Sequence, residues 1–110
     1  MGKGAFFVAM PFYQKQFKKK LGFEPFPGTL NVKMAVKDKK KITATKGIRI
    51  VDKGGKGGAW CFPILLDKLP CFAIIPDKST HEKNVLEILS QYNLRKKLHI
   101  RSGCKVRIHF

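Results

Sequence analysis

The sequence predicts a mainly β domain, about six short strands closed into a barrel with one or two short helices. Three observations lead there. Short apolar or alternating runs recur along the chain, at Ala5 to Met10, Thr29 to Met34, Ile48 to Val51, Trp60 to Leu66, Leu69 to Ile75 and Lys105 to Phe110. Glycine and proline clusters and short polar pairs separate these runs. Clear helical spacing of apolar residues is confined to Pro11–Leu21.

A length of 110 residues with 44% hydrophobic residues and nine phenylalanines suits one folded domain with a single core. No apolar run approaches the roughly 18 residues that a membrane span requires. The apolar stretch after Met1 is soon broken by Pro11, unlike a signal peptide. A cytoplasmic protein without membrane partners is therefore expected. Cys61, Cys71 and Cys104 form no CxxC pair, and His81, His99 and His109 share no metal-ligand spacing. The cysteines are expected to be reduced, partly buried small hydrophobes.

Each element has a local reason. Ala5 to Met10 is short and apolar, bounded by glycines and Pro11. Pro11 suits a first helical turn. Tyr13, Phe17 and Leu21 then form one stripe, with Lys15, Lys18, Lys19 and Lys20 left in water and Gly22 as the stop. Glu24 to Gly28, holding two prolines and a glycine, is neither helix nor central strand. Thr29 to Met34 alternates as a strand. Lys37 to Lys41 reads as a solvated loop. Gly54 to Gly58 makes a hairpin tip, and lacks the spacing of a phosphate-binding P-loop. Trp60 to Leu66 and Leu69 to Ile75 pair through a turn at Asp67-Lys68, and Pro76 to Thr80 is a loop. Val85 to Leu89 fits a helix or a fully buried strand equally well. Asn93 caps a short helix from Leu94 to Leu98, and Lys105 to Phe110 alternates as a last strand after a turn at Ser102-Gly103.

The charge balance is extreme: 23 Lys and Arg against seven acids, a formal net charge of +16. Such a surface attracts anions, whether nucleic acid, phosphorylated metabolites or anionic lipid, without selecting among them.

Chemistry has few places to reside. Thr29 and Asn31 stand two apart on a strand, so a hydroxyl and an amide oxygen share one face. Neutral oxygens of this kind suit magnesium when substrate phosphates and waters complete its shell. Gly2-Lys3-Gly4 before a strand would let backbone N–H groups approach a phosphate. Glu87, flanked by Val85, Leu86, Ile88 and Leu89, must face water, a partner or a ligand's donors. On a strand it would point away from Leu86 and Ile88. Arg95, beside Lys96 and Lys97, is either a phosphate clamp or part of a solvated helix face.

Taken together these segments resemble one family. The run Leu21-Gly22-Phe23-Glu24-Pro25-Phe26-Pro27-Gly28-Thr29-Leu30-Asn31-Val32 closely resembles the archaeal CTP-dependent riboflavin kinases. Gly2-Lys3-Gly4 precedes it, and Ile75-Pro76, Val85 to Leu89 and Asn93-Leu94-Arg95 follow it in the family's order. The resemblance implies a six-stranded cradle-loop (RIFT-like) barrel and makes Val85 to Leu89 a strand. It implies transfer of the γ-phosphoryl of CTP to the 5′-hydroxyl of riboflavin, giving FMN and CDP. By position, Thr29 and Asn31 match the family's Mg²⁺ ligands. Met1, Gly2, Lys3, Gly4 and Ala5, with Tyr92, Asn93, Leu94 and Arg95, match nucleotide-binding segments. Ser79 and Glu87 match the flavin-contacting pair, and no residue stands out as a general base. A monomer is expected.

The sequence also departs from the family. It starts at the glycine loop, without the strand that usually precedes it. Lys3 replaces an acid, Ala5 a basic residue, Ser79 a threonine, Gln91 a proline and Cys104 an acid. The alternative reading is a non-catalytic basic barrel of the same family that binds nucleic acid or a nucleotide.

Overall fold

The computed structural model describes residues 11–26, 28–52, 54–55, 57–77, 83–99 and 107–110. The expected strand Ala5 to Met10, the glycine loop Met1 to Ala5, Ser79, the turn at Ser102-Gly103 and Cys104 lie outside them. The described residues form six strands, β1 (Leu30–Lys33), β2 (Ile48–Val51), β3 (Gly58–Leu66), β4 (Leu69–Pro76), β5 (Val85–Leu89) and β6 (Ile108–His109). Three helices accompany them: α1 (Pro11–Leu21), α2 (Val36–Thr43) and α3 (Leu94–Lys97).

The strands build one curled antiparallel half-barrel in the order β1-β5-β4-β3-β2, with β6 also on β3. Strand β3 organises it. Its first half pairs with β2 and its last two residues pair with β6, while β4 runs along its other edge. Pro63 falls between the β2-paired and β6-paired stretches, where a residue without an N–H breaks no ladder on that edge. The β3–β4 hairpin turns at Asp67 and Lys68, both at positive φ (48° and 71°), the backbone a tight two-residue hairpin needs to match strand twist.

Alternation along the strands divides the apolar residues between two faces. Leu30, Val32, Phe62, Ile64, Leu66, Cys71, Ala73, Leu86 and Ile88 fill the concave core with Leu94 of α3 and Ile42 of α2. Ile50, Ala59, Cys61, Ile74 and Leu89 form a second cluster with Phe17 of α1, flanked by Tyr13 and Leu21. The expected stripe of α1 therefore packs as its spacing requires. Burying Phe17 contributes about 2–3 kcal/mol. Gly22, at φ 87°, ends the helix with its N–H on the Lys18 carbonyl.

Edge strand β2 is satisfied by side chains of α1. Gln16 donates from Nε2 to the Val51 carbonyl at 2.8 Å and accepts the Val51 N–H on Oε1 at 2.8 Å, so one amide acts as another strand would. Lys20 Nζ donates to the Arg49 carbonyl at 2.6 Å. Arg49 in turn makes two 2.7 Å hydrogen bonds to Asp77 at the end of β4 and lies over the Trp60 ring. That guanidinium holds the Asp77 carboxyl below its usual range. Gly58 sits so close to β2 that a Cβ would overlap the Ile50 carbonyl.

One sequence expectation is corrected. Lys37 to Lys41 is not a loop but the body of α2. Lysine is a good helix former, and a single apolar anchor suffices: Ile42 is fully buried while Lys37, Lys40 and Lys41 stay exposed. Asp38 lies in the first turn and lysines in the last, the arrangement the helix dipole favours. Lys39 reaches back to the Val85 carbonyl at 2.7 Å, tying α2 to β5. Val85–Leu89 is a strand, and it lacks a simple alternating pattern because Leu86 and Ile88 enter one cluster and Leu89 the other.

Two predictions follow from this packing. Gln16→Ala strips Val51 of both side-chain partners and should cost about 1–2 kcal/mol in urea unfolding. Cys61 and Cys71 are buried, and burial pushes their thiols up to about 12 and about 11. In a Cys104→Ser background, neither should react with a thiol reagent at pH 8 until guanidinium unfolds the protein.

Candidate active site

The site lies where β1 begins and β5 ends. These strands pair so that Leu30 stands opposite Ile88, Asn31 opposite Glu87 and Val32 opposite Leu86. Leu30, Val32, Leu86 and Ile88 enter the concave core. By alternation Asn31 and Glu87 share the opposite face, with Thr29 one step before the strand. Glu87 is 2% exposed. Its carboxylate Oε2 accepts a 2.7 Å hydrogen bond from the Thr29 hydroxyl, a diagonal contact across the strand pair. Asn31 is half-buried, with its side-chain oxygen inside the protein.

The segment before β1 is pinned to the end of β5. The Phe26 N–H donates to the Ser90 carbonyl at 2.7 Å, and the Gly28 N–H turns back onto the Phe26 carbonyl at 2.7 Å. Gln14 of α1 donates to the Pro25 carbonyl at 3.0 Å. Beyond β5, the buried Ser90 hydroxyl accepts the Tyr92 N–H at 3.2 Å. Asn93 caps α3 as its sequence position suggests, its side chain accepting from the Lys96 N–H at 3.4 Å. Leu94 anchors the short helix in the core. Arg95 is thereby held over the turn, with Nη2 3.4 Å from the Thr29 carbonyl oxygen. Lys97 lies over the Tyr92 ring, 5.0 Å from its centroid.

Between these two segments opens a cleft of about 480 Å³, within the range of small-molecule sites. Phe26, Gly28, Thr29 and Leu30 line it from one segment, and Ile88, Ser90 and Tyr92 to Lys96 from the other. None of these described residues is acidic, and Arg95 and Lys96 make it attractive to anions.

The structure therefore brings Thr29, Tyr92, Asn93, Leu94 and Arg95 to one cleft, although 63 or more positions separate the threonine from the rest. Asn31 and Glu87 do not line it; they sit along the strands behind Thr29, and Glu87 meets the cleft through that hydroxyl. Phe26 and Ser90 escaped the sequence reading. A lone serine after an apolar run carries no signal of its own, but an aromatic residue held between two prolines could have been marked as a rigidly presented ring.

The donor chemistry suits a hard cation. Thr29, Asn31 and Glu87 offer a hydroxyl, an amide oxygen and one carboxylate, all oxygen donors. Among the described residues no three His, Cys, Asp or Glu side chains gather into a metal cluster. Among the same residues, no helix is long and apolar enough to cross a membrane.

The chain as a whole matches known proteins. Residues 1–110 match the family model CTP-dep_RFKase, described as domain of unknown function DUF120. A riboflavin kinase of Sulfurisphaera tokodaii is 36% identical over 117 residues, covering 98% of this chain and 86% of the relative. That of Methanopyrus kandleri is 32% identical over 98% of this chain and 75% of its own. That of Saccharolobus solfataricus is 33% identical over 98% and 67%, respectively. The chain belongs to this phosphotransferase family, whose curated archaeal members are named riboflavin kinase.

Proposed function

We propose that this protein is a riboflavin kinase that moves the γ-phosphoryl of CTP to the 5′-hydroxyl of riboflavin, releasing FMN and CDP. The observation that supports it best is the meeting of Thr29 with Tyr92–Arg95 in one cleft, with Thr29 hydrogen-bonded to buried Glu87. In this reading residues 92–95 hold the nucleotide, together with the glycine loop Met1 to Ala5. Thr29 and Asn31 ligate Mg²⁺, and Ser79 and Glu87 contact the flavin.

Phosphoryl transfer asks a protein mainly for positioning and charge stabilisation. The riboflavin 5′-oxygen bonds to the γ-phosphorus as the bond from that phosphorus to the β–γ bridging oxygen breaks, and the hydroxyl proton is released to solvent. Arg95 and Lys96 offset negative charge on the phosphates and the departing CDP. Glu87, as a carboxylate, can accept hydrogen bonds from ribityl hydroxyls and so orient the acceptor. Mg²⁺, when bound, screens the phosphate oxygens and helps fix their geometry. CTP as donor rests on the family's name, and the aromatic residues Phe26 and Tyr92 in the cleft lining suit a planar base.

Incubation with riboflavin, CTP and Mg²⁺ should yield FMN by chromatography, with much less from ATP. Absence of FMN with either donor, together with salt-sensitive binding of DNA or RNA, would instead establish the non-catalytic basic barrel. Thr29→Ala should lower kcat/KM by about 100-fold or more, and undiminished turnover would refute the metal assignment. Arg95→Ala should raise KM for CTP about tenfold while leaving that for riboflavin nearly unchanged.

A further inference from the structure

We infer that Glu87 is a positioning residue for the phosphate-donor half of the reaction, acting through the Thr29 hydroxyl. The inference rests on the riboflavin kinase reading and adds to Glu87 a task distinct from touching the flavin. A carboxylate that is 2% exposed must be held by donors. The 2.7 Å contact runs from Thr29 Oγ1 as donor to Glu87 Oε2 as acceptor.

That direction matters for the cleft. A threonine hydroxyl rotates its single proton to suit its surroundings. With the proton committed to Glu87, the oxygen keeps its lone pairs for another partner, as a cation ligand must. At 2.7 Å this bond is short for an O–H donor, so it sets the hydroxyl's rotation in the ligand-free protein. The same residue is steadied at its carbonyl by Arg95, and the Asn31–Glu87 register fixes the distance between the strands. Glu87 therefore joins the two halves of the site: its carboxylate lies on the acceptor side, while the hydroxyl it orients faces the donor.

The test uses Glu87→Gln, which keeps the side chain's size but replaces the carboxyl group with an amide. Binding of Mn²⁺ with CDP is followed by electron paramagnetic resonance, and riboflavin binding by quenching of flavin fluorescence. The substitution should weaken Mn²⁺–CDP binding about tenfold. In a Thr29→Ala background the same substitution should change it by less than about twofold, because the group through which Glu87 acts is gone. Weakened riboflavin binding with unchanged Mn²⁺–CDP affinity would overturn the inference. So would an equal loss in both backgrounds, which would mean direct attraction between carboxylate and cation. If the unaltered protein bound neither Mn²⁺–CDP nor riboflavin, the kinase reading would itself fail. If it bound both and Glu87→Gln changed nothing, only the positioning role would.

Discussion

Antiparallel pairing of β1 with β5, in the register that sets Asn31 opposite Glu87, is the constraint on which the site depends. A slip of one residue would turn Leu30 and Val32 outward and Asn31 into the core, so the register is fixed by the same apolar burial that stabilises the sheet. Once it is fixed, Thr29 has little choice of neighbour. Its hydroxyl lies within reach of the Glu87 carboxylate across the strand pair, and its carbonyl lies beneath Arg95. The cleft is a consequence of how two strands end rather than of a separately built pocket.

The rest of the fold supports this pair at a distance. Strand β4 seats β5, β3 seats β4, and the edge beyond β3 is closed by β2 with Gln16 and Lys20 of α1. On the concave side, Ile42 of α2 and Leu94 of α3 fill the core around Leu30 and Ile88. Helix α3 is only four residues long, too short to be stable alone. It persists because Leu94 is buried and Asn93 caps it, and it carries Arg95 to the turn. Positive charge over the surface raises the local concentration of anions, while the cleft's shape and hydrogen-bonding groups decide among them.

Much of this was legible in the sequence where the signal is local. Tyr13, Phe17 and Leu21 marked α1 by their spacing, and Asp67-Lys68 marked the hairpin. Thr29 and Asn31 are visible as a polar pair two apart on an alternating strand. Signals failed where tertiary burial overrides local pattern. Helix α2 was read as a solvated lysine run because it offers one buried residue, Ile42, instead of a stripe. Val85–Leu89 stayed ambiguous because a strand buried on both faces loses its period of two. The resemblance to the riboflavin kinases, not periodicity, made it a strand. The bond from Thr29 to Glu87 spans 58 positions, and spacing cannot disclose a contact that only the sheet's register creates. Ser90 carries no local signal either, since a backbone hydrogen bond from Phe26 is what brings it to the cleft.

The central claim is that the Thr29 turn is where donor, cation and acceptor meet. A crystal structure with CDP, Mg²⁺ and FMN bound tests it most directly. The account predicts a cation about 2.1 Å from Thr29 Oγ1, with Asn31 as a second protein ligand and the CDP phosphates completing its shell. The nucleotide should lie along Tyr92–Arg95, and the Thr29–Glu87 hydrogen bond should persist. A nucleotide bound away from this cleft, or a cation held elsewhere with Thr29 turned aside, would contradict it.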